Sequence, residues 1–118
     1  KVIIKHLYGP LFFGFTSFFK DQINALPDGV TALILRMDRV PYIDQSGLYT
    51  LEGIIFDLRA QNIEVILIGL KEQPEDMLKA VDIIPDLVPE EDVFQNIEDS
   101  FVYLRTQLLE ADSSSKLE

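Results

Sequence analysis

The 118-residue chain contains no cysteine and a single histidine. Without cysteine there can be no disulfide scaffold, thiolate zinc site, thiol nucleophile or iron–sulfur cluster. One imidazole, His6, cannot furnish a two-histidine metal site or a relay for a distant nucleophile, so it is read as structural and most hydrolytic chemistry is disfavoured. Positive charge is also scarce. Ten Lys and Arg stand against twenty Asp and Glu, giving a formal net charge of −10 and an isoelectric point near 4.4. Such a chain has no general attraction for a phosphate backbone, which sets nucleic acid aside as a partner. Long apolar runs are missing too. The stretch from Leu7 to Phe19 is interrupted by Gly9, Pro10, Gly14, Thr16 and Ser17 and is too short to span a bilayer as a helix. No charged segment with a following cleavage site marks a signal peptide. The chain opens at Lys1 on strand-like residues without an initiator Met, as expected of a piece of a longer protein.

What is present suits one domain. Apolar residues make up 47% of the chain and mean hydropathy is +0.15, ample for a single core at this length. The domain is placed at residues 1–110, and 111–118 are read as a disordered polar tail whose last residues resemble an expression-vector scar. Charge is unevenly spread: residues 1–70 hold seven acids and six bases, residues 71–118 thirteen acids and four bases. The acidic C-terminal part is expected to face away from anionic lipid headgroups.

Hydrophobic patterning then orders the elements. Val2–Tyr8 is β-branched and aromatic, and Gly9-Pro10 separates it from Leu11-Phe12-Phe13, a pattern of two short strands around a turn. Phe15, Phe18, Phe19, Ile23 and Leu26 follow helical spacing up to Pro27-Asp28-Gly29. Ala32–Leu35 and Val65–Ile68 are continuous apolar runs, as in strands covered on both faces. Between them Leu48, Leu51, Ile54, Ile55 and Leu58 share one face of a crossover helix. A short helix over Glu75–Val81, a proline-flanked strand or extended piece around Leu87-Val88 and a final helix with the seam Phe94, Ile97, Phe101, Leu104 and Leu108 complete the chain. The predicted fold is α/β: a mixed, largely parallel sheet of four to five strands with about four helices packed against it.

The segment richest in chemistry is Met37–Leu48, between a buried strand and the crossover helix. Asp44 or Ser46 can cap that helix, because either side-chain oxygen can accept from its first unpaired amides. Gly47 removes a Cβ that would hinder approach to those amides. Helix N-termini favour anions, so the loop could hold an anion or a phosphorylated Ser46 as well as serve as a plain cap. A nucleophilic role for Ser46 finds little support, since Asp44 stands where a nucleophile elbow carries glycine. Neither phosphate-binding glycine motif is present. Asp82, Asp86, Glu90, Glu91 and Asp92 lack the spacing of a calcium loop and are read as a solvated acidic connection, so no metal or other cofactor is expected.

Three segments in order, Tyr8-Gly9-Pro10-Leu11-Phe12-Phe13-Gly14, Met37-x-x-Val40-Pro41-x-Ile43-Asp44-x-Ser46-Gly47 and Ile68-Gly69-Leu70, make the chain resemble a STAS domain over roughly residues 2–109. The first two are most similar to the cytosolic C-terminal domain of SulP-type anion transporters. The resemblance implies a non-catalytic regulatory domain on the cytoplasmic side of the inner membrane, joined to a transmembrane domain that carries sulfate, bicarbonate or a similar anion. In the related anti-sigma factor antagonists the serine before the loop glycine is the phosphoacceptor, a role that falls on Ser46 here. Gln45 departs from the small residue those antagonists commonly carry. A free-standing phospho-switch is therefore the alternative, with Asp44, Gln45, Ser46, Gly47, Gly69 and Leu70 as the loop for a partner, an anion or a nucleotide. The resemblance also admits a cytosolic regulatory protein, a weakly bound nucleotide and a dimer.

Overall fold

The structure, a computed structural model, describes residues 2–8 and 16–117, with side-chain surroundings for 2–7 and 20–107. Four strands, β1 (Val2–Tyr8), β2 (Ala32–Arg39), β3 (Glu64–Ile68) and β4 (Val93–Phe94), lie side by side in chain order and pair in parallel throughout. Helices α1 (Thr16–Asn24), α2 (Gln45–Ala60) and α3 (Glu72–Ala80) connect them, and α4 (Ile97–Leu117) follows the last strand. Parallel neighbours require such crossovers. The strand expected at Leu11-Phe12-Phe13, which would make the sheet mixed, lies outside the described residues.

Period-two alternation divides the central strands between two cores. Leu33, Leu35, Met37, Val65 and Leu67 face α1, α2 and α3, joining Leu48, Leu51, Ile54, Ile55 and Leu58 of α2 and Leu78 of α3. Ala32, Ile34, Ile66 and Ile68 point to the other side, where Ile97, Tyr103 and Leu104 of α4 cover them. The apolar face read for α2 is thus the buried face of the helix. Its C-terminus closes by a device with no apolar signature: Asn62 adopts a left-handed conformation (φ 62°). Asn62 N–H then donates to Arg59 O and Ile63 N–H to Leu58 O, satisfying two terminal carbonyls.

The region after α3 differs from the expectation. Ile83–Leu87 forms a wide turn in which Ile84 is extended (φ −104°, ψ 120°), and Val88 is extended beyond it. Val88 N–H donates to Ile83 O, and Pro89 has no N–H, so this stretch cannot enter the ladder. The pairing strand is Val93–Phe94, beyond a tight turn at Glu90–Asp92. Phe94 consequently belongs to β4 and not to the seam of the last helix. That helix starts at Ile97, where Asn96 Oδ1 accepts from Asp99 N–H at 3.0 Å. Its buried face runs through Ile97, Ser100 and Leu104 instead of Phe101, which is 44% exposed. Ser100 is tolerated in the core because its hydroxyl donates to Ile97 O at 2.7 Å. The α4 backbone is helical to Leu117, in keeping with a run from 97 to 117 that contains neither Gly nor Pro.

The two-sided core sets the first expected outcome. Ile66→Ala should lower unfolding free energy by about 2–5 kcal/mol in urea denaturation, whereas Phe101→Ala should stay within about 0.5 kcal/mol.

Candidate functional site

The carboxyl ends of β2 and β3 face the same edge of the sheet, and the candidate loop is built there. Asp44 caps α2 in an extended conformation, its Oδ1 accepting from Gly47 N–H at 2.7 Å. This decides between the two expected caps: Ser46 is left solvent-exposed in the first turn, one residue before the buried Gly47. Gln45 is also exposed, its Nε2 donating to Tyr49 Oη at 3.1 Å. The Ser46 hydroxyl therefore stands on a helix N-terminus, where added negative charge is favoured. The sole imidazole does not share the loop. His6 is an exposed residue of β1, in register with Arg36 of β2.

Gly69 and Leu70 hold the loop's foundation in place. Gly69 has φ +73°, and a Cβ there would lie 2.8 Å from Asp38 Cβ, so β3 leaves the sheet against the end of β2 as only glycine permits. Gly69 N–H donates to Phe94 O at 2.9 Å, and Leu70 is buried. The link between the two connections comes from a residue that the motif does not contain. Gln73, in the first turn of α3, accepts from Ile43 N–H at 2.9 Å and donates through Nε2 to Ile43 O at 3.0 Å. The sequence signal for Gln73 is slight: a polar residue three positions beyond Leu70 and two before the predicted helix, with no periodicity to distinguish it.

A second ionisable group lies away from this loop, toward the start of β3. Asp92, read from the sequence as part of a solvated acidic connection, is only 3% exposed, and its Oδ1 has no hydrogen-bond partner among the described residues. Burial pushes its carboxyl above the usual range, opposed by a hydrogen bond from Tyr103 and the charge of Arg59. Glu64 is raised by burial and then by Asp92. The Tyr103 phenol is raised by burial and by its bond to the Asp92 carboxylate, and it also accepts from Gln107 Nε2 at 2.7 Å. Among the described residues no group of three or more His, Cys, Asp or Glu is placed to hold a metal ion.

Two outcomes follow from these geometries. In urea denaturation Gln73→Ala should cost about 1–3 kcal/mol by orphaning the Ile43 peptide groups, and Asp44→Ala about 1 kcal/mol, while exposed Ser46→Ala stays within about 0.5 kcal/mol. The raised carboxyls give the pH dependence its sign: their stability contribution is complete below the ordinary carboxylate range and is lost as pH rises through the folded-state values. The Tm should therefore rise on acidification from neutrality toward that range, and Asp92→Asn should flatten the slope.

The fold recurs in known proteins. The model of the STAS domain family matches residues 1–100. No curated protein matches the chain. Among solved structures the chain is similar to a sulfate transporter family protein from Wolinella succinogenes, at TM-score 0.81 and 28% identity over 91% of this chain and 87% of that one. It is similar to a SulP transporter STAS domain from Vibrio cholerae at TM-score 0.77 and 27% identity, over 91% and 83% of the two chains. A candidate anti-sigma factor antagonist from Thermotoga maritima shares the fold, at TM-score 0.72 and 16% identity over 87% of each chain. With the family model matching residues 1–100 of its 118, the chain belongs to the STAS domain family.

Proposed function

We propose that this STAS domain is the cytosolic regulatory part of a SulP-type anion transporter, acting through the exposed turn around Ser46. The observation that carries the reading is the likeness, over nine tenths of the chain, to the Wolinella and Vibrio domains, both at higher identity than the antagonist. Among the described residues no helix is long and apolar enough to cross a membrane, so transport would belong to a separate membrane portion. The domain itself is non-catalytic in this reading: Ser46 offers a hydroxyl but the sequence has no second histidine, and His6 is on β1. Its role is to present a surface whose charge can change. A phosphate on Ser46 would add close to two negative charges beside the α2 amides, favourable for the helix and unfavourable for any acidic partner docked across the loop.

A second reading has one observation in its favour, the exposed serine at the helix start on a fold shared with the Thermotoga protein. In it the domain is a free-standing phospho-switch that binds a kinase or anti-sigma partner. The decisive measurement is anion uptake by the full-length gene product with and without this domain. Uptake should fall on deletion, and Ser46→Glu should change uptake about tenfold or more, since like charges at an interface can cost several kcal/mol. The isolated Ser46→Glu domain should keep its Tm, because an acid in the first helical turn is worth only about 0.3–1 kcal/mol, in the stabilising direction. A gene product without membrane spans, next to a kinase-like anti-sigma factor, would transfer the role to the second reading. Normal uptake with both Ser46→Glu and Ser46→Ala unfolding the domain would end the switch in either.

A further inference from the structure

On α2, on the solvent side and away from the Ser46 turn, a groove of about 500 Å³ runs between the helix and the Ile83–Leu87 turn. We propose that it docks a basic peptide segment in which Lys or Arg residues flank one large apolar side chain. The groove is apolar along its middle: Phe56 is 61% exposed, Val81 is 37% exposed, and Leu87 is half-buried beside them. Its other lining side chains are the carboxylates of Glu52, Asp57, Asp82 and Asp86, and no Lys or Arg lines it among the described residues. Lys79 of neighbouring α3 is engaged by Glu75 at 2.9 Å. A large apolar ring set among four carboxylates matches a partner that is apolar at its centre and cationic at its sides.

Gly53 gives independent support. It lies inside a sixteen-residue helix, where glycine is about 0.5–1 kcal/mol worse than alanine. A Cβ built on Gly53 meets nothing within 4 Å, so no packing in this chain calls for the glycine. Its missing side chain leaves a notch in the groove wall beside Phe56, open to an incoming group. Tyr49, 55% exposed and two helical turns before Phe56, extends the same apolar stripe toward the Ser46 turn. The opposite wall is preformed, because Ile83 and Ile84 anchor the turn in the core.

Charge selects among occupants. A second copy of this chain docking by the same face would set acidic rim against acidic rim. An anionic lipid surface would be repelled by the four carboxylates. A cationic segment gains from each of them, and the proposal stands whether or not the transporter reading does.

The test is titration of the isotope-labelled domain with a synthetic amphipathic peptide of lysine and leucine, and with its glutamate-for-lysine counterpart, at about 0.15 M salt, where distant charges are screened. The lysine peptide should shift the amide signals of Gly53, Phe56, Val81 and Leu87, and the glutamate peptide should not. Gly53→Gln fills the notch and Phe56→Ser removes the ring, both without changing net charge; each should weaken binding about tenfold or more. Retained Tm and amide dispersion would show that these exposed variants remain folded. Binding of both variants with the affinity of the unsubstituted domain would overturn the proposal by revealing diffuse attraction to an acidic protein. So would a footprint elsewhere, a concentration-dependent dimer that buries Phe56, or binding to phosphatidylserine vesicles that Phe56→Ser reduces.

Discussion

The apolar runs Ala32–Leu35 of β2 and Val65–Ile68 of β3 have no face open to water, and the remainder of the molecule is arranged to make that tenable. Leu33, Leu35, Val65 and Leu67 need one cover, Ile34, Ile66 and Ile68 another, and a sheet wound through in chain order supplies three helices on the first side. Among the described residues the helix after the last strand covers the second. Burial of backbone amides inside such a sheet is affordable in free energy only when the ladder is complete, which requires the parallel register seen from Ala32↔Glu64 to Arg36↔Ile68. The candidate loop inherits its position from this constraint, since parallel strands discharge their connections at one edge.

Burial on both faces leaves a mark in the residues themselves, and other determinants of the fold do not. Apolar repetition is strong in the two inner strands and in α2, where burial decides conformation, and there the expected elements match the structure. It is weak between Val81 and Asn96, where a turn, a two-residue strand and a buried carboxylate follow one another within sixteen positions. In that stretch hydrogen bonding and proline chemistry outweigh hydrophobic period. Phe94 and Phe101 illustrate the point: both fit a helical seam, yet the Asn96 cap starts the helix too late for the first and turns the second outward. Asp92 was legible as an acid but not as a buried one, because a run of carboxylates carries no mark of which member the chain folds over.

At the loop, the motif and the structure divide the explanation between them. Asp44, Gly47 and Gly69 have roles that their chemistry foretells: an acceptor for a helix amide, a compact residue inside the first turn, and a left-handed exit against Asp38. Ser46 contributes nothing comparable to folding, and its side chain stands exposed in the first turn. The exposed stripe of α2 is the converse case. Amphipathic patterning assigns Tyr49, Gly53 and Phe56 to the solvent side, but only the three-dimensional arrangement shows a notch with the Ile83–Leu87 turn as its far wall.

The paired bonds from Gln73 to Ile43 have a consequence for portability. A planar amide that offers one acceptor and one donor to the two backbone groups of a single residue imitates a neighbouring strand, and the loop borrows its fixed orientation from that imitation. Glutamate has the same shape but would set an oxygen against the Ile43 carbonyl, and asparagine is one methylene too short. The loop between β2 and α2 is therefore not a self-contained cassette. Transplanted into another scaffold without a glutamine thirty positions downstream, the same residues would keep their helix cap and lose the support that aims it.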